Sequence, residues 1–226
     1  MGFYPVSLQL SGRPCLVVGG GGVATRKVDG LLGCGAVVTV ISPLLTPELE
    51  RRWQADEINW RQREYRRGDL AGFFMVIAAT DDEAAQEGIY AEAELGNILL
   101  NVADVPKRCN LILPAVVRRG DLTVSISTGG ASPALARKLR RRLQDEFGFE
   151  YEVLLRLLAE LRGLVLSRGG EHHRNRDIFH RLVEPDCAQW IREGRWDLLE
   201  EHVGKSIEGD EALACLKRIR DEYRDD

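Results

Sequence analysis

The residues with the clearest chemical potential are Gly19-Gly20-Gly21-Gly22-Val23-Ala24, a run that fits the pattern G-x-G-x-x-A. In that spacing Gly19 permits a tight turn, Gly21 lets the backbone come against a pyrophosphate, and Ala24 keeps the following helix close to a sheet. Phosphates would then rest on backbone amides from Gly19 through Gly22 and Val23, at the positive end of the helix dipole. A dinucleotide leaving this loop would meet the ends of two other strands, at Ser42-Pro43-Leu44 and at Thr80-Asp81. In NAD sites an Asp or Glu commonly closes the second strand and holds the ribose. Thr39-Val-Ile-Ser42-Pro43-Leu44 has no acid. Ser42 or backbone groups are therefore the expected ribose contacts, and NADP stays open as an alternative to NAD. Thr80 or Asp81 also reads as the cap of the helix that follows, which is compatible with touching a cofactor.

Such a loop needs a strand before it and a helix after it, and the flanking sequence supplies both. Cys15 to Val18 is a compact apolar run, and Val23 to Leu32 places Val28, Leu31 and Leu32 on one helical face. Gly33 and Gly35 end that helix. Ala36 to Ile41 and Phe73 to Thr80 read as strands, the first rich in β-branched residues and the second suited to the middle of a parallel sheet. Ile98 to Val102 is another buried strand, and Ile58 to Tyr65 a weakly alternating outer one. Helices are expected over Pro47 to Ala55, capped by Thr46, and over Asp81 to Gly96. The alternation predicts an α/β fold with a Rossmann-type doubly wound parallel sheet. After Asp104 the rhythm changes. Leu111 to Val117 and Leu122 to Thr128 read as strands around a Gly120-Asp121 turn, and Ser132-Pro133 starts a helix to about Phe147 with Leu135, Leu139 and Leu143 in a stripe. Strand signals then stop. Tyr151 to Leu166 carries a broad apolar stripe and Ala212 to Tyr223 is a closing helix, so a small strand-and-helix segment is followed by an all-helical C-terminal region.

Composition bounds the functions this fold can serve. The 226 residues are 44% hydrophobic and 29% charged, as in ordinary globular proteins. A net charge of −4, from 31 basic and 35 acidic residues, argues against generic nucleic-acid binding. The longest uncharged apolar run, Phe73 to Thr80, is far shorter than the roughly 20 residues of a membrane span. Met1-Gly-Phe-Tyr-Pro has no signal-peptide character, so a cytoplasmic location without membrane partners is expected. Cys15, Cys34, Cys109, Cys187 and Cys215 form no C-x-x-C pair and read as reduced thiols, mostly buried. His173 and His180 are two helical turns apart, poor spacing for one metal, and His172 and His202 add no ligand pattern; no metal site is expected. Trp53, Trp60, Trp190 and Trp196 read as packing residues. The basic residues Arg137, Lys138, Arg140, Arg141 and Arg142, with Arg118 and Arg119 upstream, are either a solvated face or a surface for a polyanion.

Four segments occurring in order make the pattern more specific: Val17-Val-Gly-Gly-Gly-Gly-Val-Ala-Thr-Arg-Lys27, Ala78-Ala-Thr-Asp-Asp82, Asn101-Val-Ala-Asp-Val-Pro-Lys107 and Ser125-Ile-Ser-Thr-Gly-Gly-Ala-Ser-Pro-Ala-Leu-Ala-Arg137. Over about the first 145 residues the chain resembles precorrin-2 dehydrogenase, the dehydrogenase module of siroheme synthase, some members of which are also sirohydrochlorin ferrochelatases. The resemblance implies NAD-dependent oxidation of precorrin-2 to sirohydrochlorin and a homodimer interlocked through the strand-and-helix segment. It divides the chain into an NAD-binding domain at 1–110, a dimerisation segment at 111–147 and a helical domain at 148–226. No methyltransferase domain is expected in this length. Asp104 matches the family's catalytic aspartate. Its place after a buried strand puts it at a carboxyl end of the sheet, where a carboxylate can take the proton released on dehydrogenation. A turn aspartate bonded to the backbone before Pro106 is the plainer reading. Thr128 stands where some relatives carry a phosphorylatable serine, against a simple turn at Ser127-Thr-Gly-Gly130. Precorrin-2 carries eight carboxylates, which arginine forks could pair. Iron insertion into sirohydrochlorin is a second activity that the resemblance implies for some members, and a non-catalytic NAD(H)-sensing module is the rival reading.

Overall fold

Strand β1 (Pro14–Val18) sets the pattern of the N-terminal half, because its side chains alternate between two apolar faces. Cys15 and Val17 point into one buried cluster with Val38, Val40, Met75 and Ile77; Leu16 and Val18 point into the other with Ile41, Val76, Ala78, Leu100 and Val102. The structure is a computed structural model that describes residues 2–170 and 172–224, and the chain divides between Leu113 and Pro114 into two units. In the first unit β2 (Val37–Ile41), β3 (Ile58–Arg61), β4 (Met75–Ala78) and β5 (Leu99–Val102) join β1 in one sheet of order β3-β2-β1-β4-β5. Every neighbouring pair is parallel. Helix α1 (Gly22–Leu32) covers one face through Ala24, Val28 and Leu31, and α2 (Pro47–Gln54) adds Leu49. The other face is covered by α3 (Glu83–Gly96) through Ile89 and Ala93. Helices on both faces make the sheet doubly wound, as the alternation predicts. Full burial of a side chain such as Val28 stabilises this packing by about 1.5–3 kcal/mol.

Helix starts follow local chemistry. Thr46 caps α2, accepting from Leu49 N at 3.3 Å, with Pro47 at the first helical position. The cap of α3 differs from the expectation of Thr80 or Asp81. Asp82 takes it, accepting from Ala84 N at 2.9 Å and Ala85 N at 3.1 Å. Thr80 instead accepts from Asp82 N at 3.3 Å, one turn earlier. The open edge at β5 is covered by the Asn110 side chain together with the Leu111 amide, which donates to Leu100 O at 3.1 Å. Asn110 Oδ1 accepts from Leu100 N at 2.7 Å and Asn110 Nδ2 donates to Ile98 O at 2.8 Å, so the amide stands in for part of a neighbouring strand.

In the second unit β6 (Ala115–Arg119) and β7 (Leu122–Ile126) pair antiparallel around Gly120-Asp121, with Gly120 at φ +53°. Ser132 caps α4 (Pro133–Glu146), accepting from Leu135 N at 3.2 Å. The expected leucine stripe of α4 is not core: Leu135 is 48% exposed, and Leu139 and Leu143 are half-buried. Helix α5 (Glu150–Ser167) buries Val153, Leu157, Leu161 and Val165 at a spacing of four. They pack with α6 (His172–Val183), α7 (Cys187–Arg192), α8 (Trp196–Ser206) and α9 (Asp210–Arg224) around one apolar cluster. No helix among the described residues is long and apolar enough to cross a membrane.

Candidate functional site

The strand order places the switch point between β1 and β4, since the chain moves outward from β1 in opposite directions on either side. Backbone bonds beyond the strands draw four carboxyl ends together there. Gly19 N donates to Ile41 O at 2.9 Å, Ala79 N to Val18 O at 2.7 Å and Ala103 N to Ala78 O at 2.9 Å. The loops leaving these ends enclose a cleft of about 840 Å³. It is lined by Gly19 to Val23 after β1, Ser42 to Thr46 after β2, Ala79 to Asp81 after β4 and Ala103 to Val105 after β5, with Gln86 from α3. Gly19, Gly21, Gly22, Val23, Ser42, Pro43, Leu44, Thr80, Asp81 and Asp104 therefore share one cavity. Ala24 does not line it. Its side chain is fully buried against the sheet, where a larger residue would push α1 away.

The glycine loop is built by close backbone approach. A Cβ on Gly19, whose φ is +118°, would lie 2.2 Å from Ala79 O. One on Gly20 would lie 1.9 Å from Leu44 O and 2.7 Å from Ser42 Oγ. Gly20 occupies a free position of the motif, so its necessity was not legible from the pattern. Gly21 and Gly22 face open space, with nothing within 4 Å of a Cβ. Gly21 is the N-cap of α1 without a side-chain cap bond, and no acidic residue stands in the first turn. The unsatisfied first-turn amides are thus left for an anion that can approach a backbone without side chains.

The ribose end is quieter. Ser42 is buried and donates its hydroxyl proton to Leu44 O at 2.7 Å, so the same oxygen is left to accept from a ribose hydroxyl. Trp60 Nε1 donates to Ser42 O at 2.9 Å and fixes the turn. No Arg or Lys is among the described lining residues, so a 2′-phosphate would meet no cation there. These features fit NAD. Thr46, expected only as a cap, also donates its amide to Gly20 O at 3.0 Å. Gln86 Nε2 donates to Thr80 O at 2.7 Å and Gln86 Oε1 accepts from Arg108 at 3.2 Å, tying the rim after β4 to the turn Pro106–Arg108.

Asp104 lies at φ +60°, in the left-handed region that bulky L-residues avoid. It is the third residue of a turn closed by Val105 N to Val102 O at 3.4 Å, a position that turns with positive φ usually give to Gly or Asn. Asn97, also left-handed, ends α3, and Asp56 follows α2; Asp104 alone of the three lines the cleft. Lys27, half-buried on α1, has its ammonium pushed below the ordinary lysine value by burial first and by Arg26 second, while Asp104 and Cys109 act in the opposite sense. Asp104 and the phosphate loop are thereby in electrostatic reach of one helix.

The remaining expected residues fall in the second unit. Thr128 Oγ1 accepts from Ser132 N at 3.1 Å, and Gly129 and Gly130 have φ of +60° and +85°, a turn between β7 and α4. Among the described residues, Arg137, Lys138, Arg140, Arg141 and Arg142 have no carboxylate within 4 Å, whereas Arg156, Arg168, Arg192, Arg218 and Arg220 are all paired. His172, His173 and His180 are exposed on α6; His202 packs edge-on to Trp190 at 5.9 Å.

Comparison with known proteins gives a consistent result. Residues 6–115 match the family model described as "Putative NAD(P)-binding", and residues 119–146 match "Sirohaem biosynthesis protein central". The chain is 33% identical over 208 residues to the siroheme synthase of Photorhabdus laumondii, covering 92% of this chain and 44% of that one. It is 39% identical over 205 residues to the siroheme synthase of Methylobacillus flagellatus, covering 91% and 44%. The chain thus spans less than half the length of these curated relatives. The solved structure of SirC, precorrin-2 dehydrogenase, superimposes with a TM-score of 0.72 at 26% identity, covering 97% of this chain and 100% of that one. With the glycine loop, the switch-point cleft and both family models in agreement, the chain is similar to siroheme synthases and to SirC, precorrin-2 dehydrogenase, through an NAD(P)-binding region followed by a sirohaem-biosynthesis central segment.

Proposed function

We propose that this chain catalyses the NAD-dependent dehydrogenation of precorrin-2 to sirohydrochlorin, with Asp104 as the catalytic carboxylate. The observation that carries the proposal is the single cleft in which the glycine loop and Asp104 meet at the carboxyl ends of β1 and β5. Gly19, Gly21, Gly22 and Val23 hold the pyrophosphate on backbone amides, Ala24 keeps α1 close enough to aim them, and Ser42, Pro43, Leu44, Thr80 and Asp81 border the rest of the dinucleotide. Bound there, NAD supplies the two-electron acceptor. The Asp104 carboxylate oxygen takes the proton released from the macrocycle carbon. A left-handed aspartate is costly for a site that merely senses NAD(H), and this argues against the rival reading.

The cation face of α4 is suited to the carboxylates of precorrin-2, through Arg137, Arg140 and their neighbours. Residues 1–110 serve as the cofactor domain, 111–147 as the dimerisation segment and 148–226 as the helical domain. A two-stranded ribbon is marginal alone, and β6–β7 with the exposed Leu135 favours pairing with a second copy of the chain. Metal insertion into sirohydrochlorin would use the same carboxylate to remove pyrrole protons, and the setting for both reactions is the cytoplasm. The test is optical. Protein, NAD and enzymatically generated precorrin-2 should give NADH and the sirohydrochlorin spectrum together; NAD binding without spectral change would overturn the assignment. Ferrous ion added to preformed sirohydrochlorin reads the second activity directly.

A further inference from the structure

The turn that presents Asp104 is held from beneath by one thiol. Cys109 Sγ lies 3.2 Å from Val102 N, 3.3 Å from Val102 O and 3.4 Å from Val105 O. Val102 and Val105 are the first and last residues of the turn whose third residue is Asp104. The sulfur accepts from one end, and its proton can go to the carbonyl of either end. Asn101 Nδ2 approaches the same sulfur at 3.8 Å and donates to Leu111 O at 3.0 Å, which fixes the segment carrying Cys109 to β5. Elsewhere a thiol is used differently: buried Cys187 reaches one carbonyl, Leu182 O, at 3.4 Å.

We propose that Cys109 is a positioning residue for Asp104, bridging both ends of its turn so that the carboxylate is kept in the left-handed conformation facing the cleft. The need for such a bridge follows from the backbone. A non-glycine residue persists at positive φ only when its surroundings over-determine it, and the turn's own Val105-to-Val102 bond is long at 3.4 Å. Without the thiol the turn can relax to a conformation with negative φ, which would swing the carboxylate away from the reacting carbon. The glycine loop is built on β1, β2 and β4 and does not depend on this bridge.

The inference rests on the catalytic reading of Asp104, and its test separates the two. Purified Cys109→Ala, Cys109→Ser, Asp104→Asn and the Asp104→Asn/Cys109→Ala double variant are compared for kcat, for KM with precorrin-2 and for NAD affinity by titration. Cys109→Ala is expected to lose at least about tenfold in kcat, since small misplacements of a reacting group are costly, with NAD affinity unchanged. Cys109→Ser, which keeps a donor and an acceptor on a shorter side chain, should recover at least about a third of the lost rate. The double variant should be no slower than Asp104→Asn alone. Wild-type kcat in Cys109→Ala, or a double variant with multiplied defects, overturns the inference while leaving Asp104 in place. If Cys109→Ala loses NAD binding through misfolding, Cys109→Ser decides: recovered kcat supports the bridge, and a rate no better than Asp104→Asn overturns it. Full turnover in Asp104→Asn removes the catalytic reading and this inference with it.

Discussion

Two loops border the cleft, and they solve opposite problems. The loop after β1 removes side chains: Gly19 and Gly20 leave no room for a Cβ against Ala79 and Leu44, and Gly21 and Gly22 leave the helix amides open. The loop after β5 keeps a side chain where a glycine would sit more easily, at Asp104 with φ +60°. One loop offers backbone alone; the other carries a strained side chain, as the proposed role of the Asp104 carboxylate requires. Binding and chemistry should therefore come apart under mutation.

The largest separation is expected at Asp104→Asn. Asparagine accepts the left-handed region as readily as aspartate, so the fold and NAD affinity should hold while kcat drops by roughly 10²–10⁴; steady-state turnover beside an NAD titration checks both halves. An active Asn variant would break the contrast. Gly20→Ala tests the other loop. Its methyl would sit 1.9 Å from Leu44 O, and forcing the backbone apart should cost about 3 kcal/mol in urea unfolding and take NAD binding with it. Gly21→Ala meets nothing within 4 Å, so stability should stay near wild type while NAD affinity falls by about tenfold, close to 1.4 kcal/mol, because the methyl occupies the approach to the amides. The smallest effect sharpens the comparison most. Asp104→Gly relieves the left-handed strain but loosens the unfolded chain, and a net gain of about 0.5 kcal/mol in unfolding free energy is expected with turnover abolished.

How much of this was legible depended on whether a residue acts through its neighbours in sequence or in space. The glycine loop, the central strands and the caps Thr46 and Ser132 are local and periodic, and the structure carries them as the sequence indicates. Thr80-Asp81-Asp82 offers three residues able to cap one helix, and the helix begins late enough for Asp82 to win, which leaves Asp81 on the cleft. Gly20 could not be weighted, because its requirement comes from Leu44 in the loop after β2. The leucines of α4 have helical spacing without burial; spacing alone cannot say whether the opposite surface belongs to the same chain. Helices α6 to α8 lie in the expected all-helical region, but their individual bounds were not legible because short buried stretches carry little periodicity: α6 buries Asn175 and Leu182 alone, and α7 is a six-residue helix capped by Asp186. Asp104 was found by resemblance, but its backbone conformation and the thiol below it exist only in three dimensions.

The amide of Asn110 has a wider effect than its two bonds suggest. By occupying Leu100 N and Ile98 O it covers part of the β5 edge, where a foreign peptide could otherwise dock, while β3 forms the sheet's other edge. The same two bonds tie the segment after the Pro106–Arg108 turn to β5. One uncharged side chain thus serves both the sheet's edge and the strand whose carboxyl end leads to the cleft wall.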